Sequence, residues 1–175
     1  MSENAQVYGN ARVSGNAWVS GDARVYGNAW VYGNAQVYGN AQVYGNARVY
    51  GNARVSGNAW VSGDAWVSGN AQVSGDARVS GDARVSGNAQ VSGDAQVYGN
   101  AWVYAVCTGT PKVITGLRYT LTVTDEHLRA GCQIYTFQEW RTKTEREVLA
   151  MDGKGALVFY KETLIPLMDA LKLGV

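Results

Sequence analysis

The sequence has two cysteines, two prolines, one histidine and almost no net charge in 175 residues. Two cysteines are too few for a disulfide framework or a Cys-x-x-Cys metal site, so Cys107 and Cys132 are predicted to be buried thiols. A net charge of +1 cannot supply the field that nonspecific nucleic-acid binding requires, nor the acidic field of a nucleic-acid mimic. Nucleic-acid polymers are therefore not expected as partners.

Long hydrophobic runs are also lacking. No apolar segment approaches the ~20 residues of a membrane span, and Met1 is followed by polar repeat sequence without a signal-peptide pattern. We therefore expect a cytoplasmic protein with no membrane partner.

Glycine is in excess, at 22 of 175 residues against an average of roughly 7%, and a repeat accounts for it. The motif Ala-x-Val-x-Gly-(Asn/Asp) runs from Ala5 to Val103, and its valine occurs 17 times at six-residue intervals without an insertion. The pattern stops after Tyr104, and residues 105–175 contain both prolines, the histidine and every lysine. We therefore predict a repeat domain at 1–104 and a C-terminal capping or oligomerisation domain at 105–175.

A six-residue period fits a short strand followed by a tight corner. Alanine and valine, two residues apart, point to the same side of a strand, while the residue between them points to the other side. Glycine followed by asparagine or aspartate tolerates the positive φ that a corner requires. Three strands and three corners close a coil of about 18 residues with a small apolar interior.

The hexad resembles that of the left-handed parallel β-helix, or hexapeptide-repeat, family over about 100 residues. The resemblance implies a mostly β fold, with a left-handed parallel β-helix of about six coils and a small α+β C-terminal module. The left hand follows from the resemblance alone, because the general crossover rule favours the right hand. Members of the family are commonly homotrimers, and the thin Ala/Val interior independently favours lateral association, so a homotrimer is expected.

Residues 18 apart become vertical neighbours in such a coil, which places outward side chains in columns. One column alternates between guanidinium and indole: Arg12, Trp30, Arg48, Trp66, Arg84 and Trp102. It is either a self-stacking ladder that gains cation-π energy and separates like charges, or an interface, since Trp and Arg anchor interfaces.

The repeat lacks catalytic equipment. Enzymes that resemble this fold transfer acyl groups with an imidazole base, and a related carbonic anhydrase class binds zinc through three histidines. Residues 1–104 contain no His, Cys or Lys, so the repeat supplies neither chemistry. Stacked corner aspartates, Asp64 with Asp82 and Asp76 with Asp94, make a Ca²⁺ site conceivable. Their interchange with Asn favours ordinary corner chemistry, and neither a metal nor a cofactor is predicted.

The C-terminal module begins with strand-like alternation at 112–124. Gly116 and residues 125–131 are turn candidates, and 132–135 is a possible further strand. These segments predict a small β-sheet ahead of the helices.

Two capping boxes, each a threonine three residues before a glutamate, predict short helices at 137–142 and 145–151. Asp152-Gly153 ends the second helix. A last helix at 155–172, with a kink at Pro166, carries an apolar stripe typical of a core face or an oligomer contact. The stripe consists of Leu157, Tyr160, Leu164, Met168 and Leu171.

Candidate functional residues in this module are few. Asp125, His127 and Cys132 have the residue types of a nucleophilic triad, but the cysteine lacks an elbow or a helix N-terminus, so no catalytic residue is predicted. Five polar and aromatic residues are each explained most simply as structural, but together they would bind a planar anion by stacking and charge-assisted hydrogen bonds. They are Arg118, Tyr119, Arg129, Tyr135 and Trp140.

The region from Thr122 to Trp140 and the helices behind it resemble the C-terminal regions of phage and prophage hexapeptide-repeat proteins. The segments that carry this resemblance are Thr124-Asp125, His127, Gly131-Cys132-Gln133, Glu139-Trp140 and Ala150-Met151-Asp152. The resemblance implies a phage context, with the host cytoplasm as location.

Three hypotheses for function follow. The first is a non-catalytic homotrimeric protein that sequesters a small anionic, nucleotide-like host defence signal. The second is a structural spacer or attachment protein of a virion or tail. The third is an atypical acyltransferase with a base in the C-terminal module, such as His127.

Overall fold

The computed structural model describes residues 4–174 and divides the chain into two compact units, residues 1–111 and 112–175. The first unit contains the repeat and also the segment 105–111 that follows it. None of the helices among residues 4–174 has the length and apolar character needed to cross a bilayer.

The first unit is a parallel β-solenoid in which each hexad forms one two-residue strand. The strands are β1 Gln6–Val7, β2 Arg12–Val13, β3 Trp18–Val19, β4 Arg24–Val25, β5 Trp30–Val31, β6 Gln36–Val37, β7 Gln42–Val43, β8 Arg48–Val49, β9 Arg54–Val55, β10 Trp60–Val61, β11 Trp66–Val67, β12 Gln72–Val73, β13 Arg78–Val79, β14 Arg84–Val85, β15 Gln90–Val91, β16 Gln96–Val97, β17 Trp102–Val103 and β18 Val106–Cys107.

Every third strand joins the same sheet. The three parallel six-stranded sheets have the orders β1-β4-β7-β10-β13-β16, β2-β5-β8-β11-β14-β17 and β3-β6-β9-β12-β15-β18. The register pairs residues 18 apart, for example Trp30 with Arg48. The prediction of a mostly β fold with about six parallel coils and a small C-terminal module is therefore confirmed. The left-handed sense of the coil stays a prediction.

The last strand, β18, departs from the repeat. Val91 pairs with Cys107, which is 16 residues later instead of 18, so the preceding corner is two residues shorter than the others. Cys107 occupies the inward position that valine holds elsewhere, and it is fully buried. Sequence reasoning missed this strand because the hexad had already ended.

Alanine and valine fill the interior of the solenoid, as predicted. From Val19 to Val103 the inward valines and alanines are at most 1% exposed. Val7 and Val13, in the first coil, are half-buried. Each coil therefore buries its small side chains chiefly by stacking on its neighbours.

The corners require glycine for two reasons, which Gly57 illustrates. Its φ of +67° lies in the left-handed region, and a Cβ there would lie 2.9 Å from the backbone nitrogen of Gly75 in the next coil. The following asparagines form amide ladders, in which Asn28 Nδ2 donates to Asn46 Oδ1 at 3.2 Å. The corners thus pair their polar groups from coil to coil.

The second unit begins with a four-stranded antiparallel sheet of β19 Lys112–Ile114, β20 Leu121–Val123, β21 His127–Ala130 and β22 Gln133–Thr136, in chain order. The predicted turn at 125–131 is wrong for its central residues, which form β21. Leu128 and Ala130 supply the apolar face that packs into the core, and the turns are confined to the two ends of that strand.

Three helices follow: α1 Phe137–Thr142, α2 Glu145–Phe159 and α3 Ile165–Ala170, with a π-helical turn Tyr160–Leu164 between the last two. Both predicted capping boxes are present. Asp152 and Gly153 have non-helical φ/ψ angles inside α2, so the predicted break is there. Pro166 lies in the first turn of α3, and the irregular segment before it is the π-helical turn.

The helices pack against one face of the sheet. The core of this unit contains Leu121, Leu128, Trp140, Leu164 and Met168, each at most 3% exposed. The predicted apolar stripe is a core face at Tyr160, Leu164 and Met168, whereas Leu157 and Leu171 are half-buried.

Candidate functional site

Arg118 and Tyr119 lie in the connection between β19 and β20 and meet Asp152 at the break in α2. Tyr119 Oη donates to Asp152 Oδ2 at 2.5 Å, and Arg118 Nε donates to Tyr119 Oη at 2.9 Å. Arg118 Nη2 forms an ion pair with the same carboxylate oxygen at 3.3 Å. These three residues, the Arg118 cluster, join two segments that are more than 30 residues apart.

The electrostatics keep both charges in place near neutral pH. The hydrogen bond from Tyr119, and then that from Arg118, lowers the pKa of Asp152 below its ordinary value. The hydrogen bonds to Tyr119 and Asp152 raise the pKa of Arg118. Because the side chains of Arg118 and Asp152 are 53% and 59% exposed, the ion pair orients the guanidinium more than it stabilises the fold.

Glycine allows Arg118 to lie directly on the helix backbone. Asp152 and Gly153 interrupt α2, and Lys154 and Gly155 begin the helical segment beyond the break. A Cβ on Gly155 would lie 2.5 Å from Arg118 Cζ and 2.8 Å from Nη1. The guanidinium therefore occupies the space that any larger residue at 155 would fill.

An open groove of about 390 Å³ lies beside the cluster, and we name it the Arg118 pocket. Its lining combines two cations, one hydroxyl and an apolar wall: Leu117, Arg118, Lys154, Gly155, Val158, Phe159 and Thr163. This volume falls within the ~300–1,000 Å³ of typical small-molecule sites.

The Arg118 pocket has an excess of positive charge. Asp152 neutralises the charge of Arg118. Lys154 has no ion pair among residues 4–174, so its positive charge is the excess. The amide groups at the start of the helical segment carry a further partial positive charge. The pocket is therefore suited to an anion with an attached apolar group.

The structure does not bring the five predicted ligand residues together. Trp140 is 3% exposed, and its Nε1–H donates to the Leu128 carbonyl at 2.6 Å. Tyr135 packs edge-on against Trp140, and Arg129 is buried in β21. The indole of Trp140 is thus part of the core and does not present a surface for stacking a ligand.

Sequence reasoning did not identify Lys154, Gly155 or Thr163. The Asp152-Gly153 helix break was the one local sign of an unusual backbone position. That Arg118 lies over this break depends on the packing of the sheet connection against α2, which no local pattern encodes.

The structure separates Cys132 from His127 of the possible triad. His127 pairs with Thr136 at one end of the β21–β22 hairpin, while Cys132 lies in the turn at the other end. Cys132 is exposed, so the prediction that both cysteines are buried is wrong for this residue. A turn residue next to Gly131 has too few neighbours to cover its thiol.

A second cavity in this unit holds about 50 Å³ and is mainly apolar. Tyr119, Trp140, Met151 and Phe159 are among the residues that line it. It offers space for a few atoms at most, since one water molecule takes up about 30 Å³ of liquid volume.

In the first unit, the alternating arginines and tryptophans lie in one vertical column, the Arg/Trp column. The guanidinium carbon of Arg48 lies 5.6 and 5.4 Å from the ring centroids of Trp30 and Trp66. That of Arg84 lies 4.8 and 5.2 Å from those of Trp66 and Trp102, and Arg12 lies 5.2 Å from Trp30. Each inner planar group is thus covered on both faces, which is the arrangement of a self-stacking ladder.

The corner aspartates also lie in vertical columns. Asp64 accepts from Asn46 Nδ2 at 2.9 Å, as an asparagine does elsewhere in the ladders. Within residues 4–174, no three His, Cys, Asp or Glu side chains are grouped so that they would hold a metal ion.

Comparison with known proteins identifies the repeat and says nothing of the second unit. The family model of the YdcK beta solenoid repeat matches residues 5–21, 19–33, 23–39, 41–56, 53–69, 71–87 and 77–93. No curated protein matches the chain. The matched segments and the six stacked coils together support a repeat β-helix architecture, a β-solenoid, for the repeat region of this chain.

Proposed function

We propose that this is a non-catalytic binding protein that holds a small anionic, nucleotide-like ligand in the Arg118 pocket. The observation that carries the proposal is the uncompensated positive charge of Lys154 next to the oriented guanidinium of Arg118, at the edge of an open groove of about 390 Å³. Lys154 has no ion pair among residues 4–174, so it can pair with an anionic ligand without first breaking an ion pair within the protein.

The pocket residues suit a ligand with two parts, an anionic group and a planar apolar group. A phosphate would accept from the guanidinium of Arg118, the ammonium of Lys154 and the hydroxyl of Thr163. A base or another planar group would pack on the apolar wall of Leu117, Val158 and Phe159. Phe159 is fixed by an edge-on contact with Tyr119 at 4.9 Å between ring centroids.

The pocket lining favours binding without reaction. It contains no His, Cys, Asp or Glu, and the neighbouring Asp152 is held as the anion by Tyr119 and Arg118. A general base with a pKa near neutrality is therefore absent from the pocket lining.

Sequestration of a host defence nucleotide is the biological role that we propose. The resemblance of the C-terminal region to phage proteins supports this role, since a phage gains from a protein that removes such a messenger without converting it. The site of action would be the host cytoplasm.

A homotrimer is the proposed assembly. The Ala/Val interior is thin, and the outer faces carry exposed aromatic side chains, including Trp18, Trp60 and Tyr98 at 57%, 38% and 55% exposure. Packing these faces together would bury apolar surface that the isolated chain leaves in water. Light scattering after gel filtration should give three times the mass of 18.8 kDa, and a monomer would contradict this assembly.

Calorimetry with mono-, di- and cyclic nucleotides tests the binding function. Arg118→Gln and Lys154→Gln should each weaken binding by about tenfold or more, as expected for loss of a charged hydrogen bond. Arg146→Gln is the matched control, because Arg146 is exposed, lies in the same unit and does not line the pocket. The ligand recovered after denaturation should have an unchanged mass.

Two results would count against this function. One is the absence of heat with every nucleotide tested. The other is equal affinity of Arg118→Gln and the wild type, which would place any binding outside the Arg118 pocket.

A structural spacer is the second candidate function. The observation that favours it is the uninterrupted stack of coils, held by backbone hydrogen bonds such as Arg48 N to Ala65 O at 2.9 Å and by the asparagine ladders. Such a stack is stiff along its axis. Co-purification of the protein with virions, without bound nucleotide, would support the spacer over the binding protein.

A further inference from the structure

We propose that the Arg/Trp column binds an acidic polysaccharide that carries one carboxylate per disaccharide and runs parallel to the stack of coils. This site lies in the first unit and is independent of the Arg118 pocket. The argument rests on the orientation, the spacing and the neighbours of three arginines, Arg12, Arg48 and Arg84.

The guanidinium groups are held in place before any ligand arrives. Arg48 and Arg84 are each stacked between two indoles at 4.8–5.6 Å, so their flat faces are covered. Among residues 4–174, none of the three arginines forms an ion pair, and all three are exposed. Their N–H edges are therefore the groups that remain for an anion, and a carboxylate matches that fork of donors.

The spacing selects the type of polymer. Tyrosine rings stacked in adjacent coils are 5.0 Å apart, and arginines two coils apart are therefore separated by roughly 10 Å. An extended peptide presents same-face side chains every ~6.7 Å, which does not match the arginine spacing. Phosphates along one strand of a nucleic-acid duplex recur every ~3.4 Å, so only every third phosphate would meet an arginine. An equatorially linked disaccharide is about as long as two coils are high, so a carboxylate on every second sugar keeps step with the arginines.

The neighbouring columns indicate on which side the polymer lies. On one side, Asp64 and Asp82 line a groove of about 250 Å³ with Arg48 and Arg84, and their carboxylates would repel an acidic chain. On the other side lies a groove of about 230 Å³ lined by Tyr50, Trp66, Ser68, Arg84, Ser86, Trp102 and Tyr104.

The second groove suits sugars. It follows the column Ser14, Tyr32, Tyr50, Ser68, Ser86 and Tyr104, which carries one hydroxyl per coil and hence one per sugar. Ser86 Oγ is buried and has no hydrogen-bond partner among residues 4–174, so hydrogen bonds to the sugars come from the other hydroxyls of the column. The hydroxyl column repeats once per coil, as single sugars do, and the arginines repeat every second coil, as the carboxylates of an alternating acidic polysaccharide do.

The test uses hyaluronan oligosaccharides, in which glucuronate alternates with a neutral sugar. Affinity should rise steeply from the disaccharide to the hexasaccharide, whose three carboxylates reach all three arginines, and it should fall with added salt. Neutral chitin oligosaccharides of the same length should not bind. Hexasaccharide affinity no greater than that of the disaccharide would overturn the proposal.

A spacing variant separates register from charge. The double substitution Trp66→Arg with Arg84→Trp keeps composition and net charge but places two arginines in adjacent coils. It should bind the hyaluronan hexasaccharide about tenfold more weakly, since one charged contact is lost. Polygalacturonate, with a carboxylate on every sugar, should lose less affinity. Equal hyaluronan affinity in the variant and the wild type would refute the spacing argument.

A second variant should gain affinity, which guards against loss through misfolding. Asp64→Asn with Asp82→Asn introduces the residue found elsewhere in the same corner column and removes the repulsion next to Arg48 and Arg84. Tighter hyaluronan binding is expected, and unchanged or weaker binding would argue against the proposed site.

If another kind of molecule binds this surface, the binding experiments give a different result. Tighter binding of an acidic peptide or of single-stranded DNA than of hyaluronan would overturn the proposal. Dissociation of an oligomer by Arg48→Gln would show that the surface is a subunit contact. The spacing variant should bind nucleotides in the Arg118 pocket as the wild type does, so the two proposals fail separately.

Discussion

Gly155→Ala provides the sharpest test of how the Arg118 pocket is built. The new methyl group would overlap the guanidinium of Arg118, at 2.5 Å from Cζ. The colliding atoms belong to the end of a flexible side chain, so Arg118 moves away and the helix stays. The hydrogen bond to Tyr119 and the ion pair with Asp152 are then lost.

The two effects of the substitution have opposite signs. Alanine in place of glycine within a helix raises the free energy of unfolding by up to ~1 kcal/mol. The lost contacts of Arg118 and Asp152 lie at the exposed surface, where such pairs contribute little. We therefore expect unchanged or slightly increased stability, together with nucleotide binding reduced as far as in Arg118→Gln.

Urea unfolding and nucleotide calorimetry on a double-mutant cycle provide the assay. In an Arg118→Gln background, Gly155→Ala should have no further effect on nucleotide affinity and should show only its helix-stabilising effect. The reasoning is refuted if Gly155→Ala binds nucleotides like the wild type. A loss of stability beyond ~1 kcal/mol would equally refute it, because it would mean that the backbone and not Arg118 gives way.

Three further predictions concern the fold. In urea titrations, Gly57→Ala should lower the free energy of unfolding by about 1 kcal/mol or more beyond the loss caused by Gly99→Ala. Both glycines have positive φ, but a Cβ at residue 99 would meet nothing within 4 Å, so only Gly57→Ala adds crowding between coils. Equal losses in the two variants would contradict this crowding. Trp140→Phe should cost ~1–3 kcal/mol, because it removes the buried hydrogen bond from the indole N–H to the Leu128 carbonyl and leaves part of the indole volume unfilled. Nucleotide binding should be retained by the folded fraction, and loss of binding in fully folded protein would indicate that Trp140 belongs to the ligand site. The capping boxes lower the pKa of Glu139 and Glu147, chiefly through the backbone N–H of the capping threonine, so their contribution to stability is present above the ordinary Glu pKa and is lost as pH falls through the lowered one. Replacing both with Gln should therefore flatten the decline in unfolding free energy below about pH 4.3, and an unchanged pH profile would contradict it.

The solenoid was predictable from the sequence almost to the residue. The hexad pattern predicts which side chains point inward. Its fixed period predicts that residues 18 apart are stacked, and the residues of the Arg/Trp column are spaced by 18. The capping boxes at Thr136 and Thr144 were also predictable, because their partners lie three residues away. In each case the contact repeats or is local, and the pattern therefore contains both partners.

Tertiary structure decided the features in which the two partners are neither local nor periodic. Cys107 enters the solenoid through a shortened corner because an apolar thiol at that point fills the inward position above Val91. Arg118 reaches Asp152 and Gly155 only after the sheet connection has packed on the helix break, and Cys132 is exposed because its turn lies outside the core. In a repeat, the period itself tells which residues become neighbours in space. Contacts between unlike segments depend on how the whole unit packs, so no local sequence pattern predicts them.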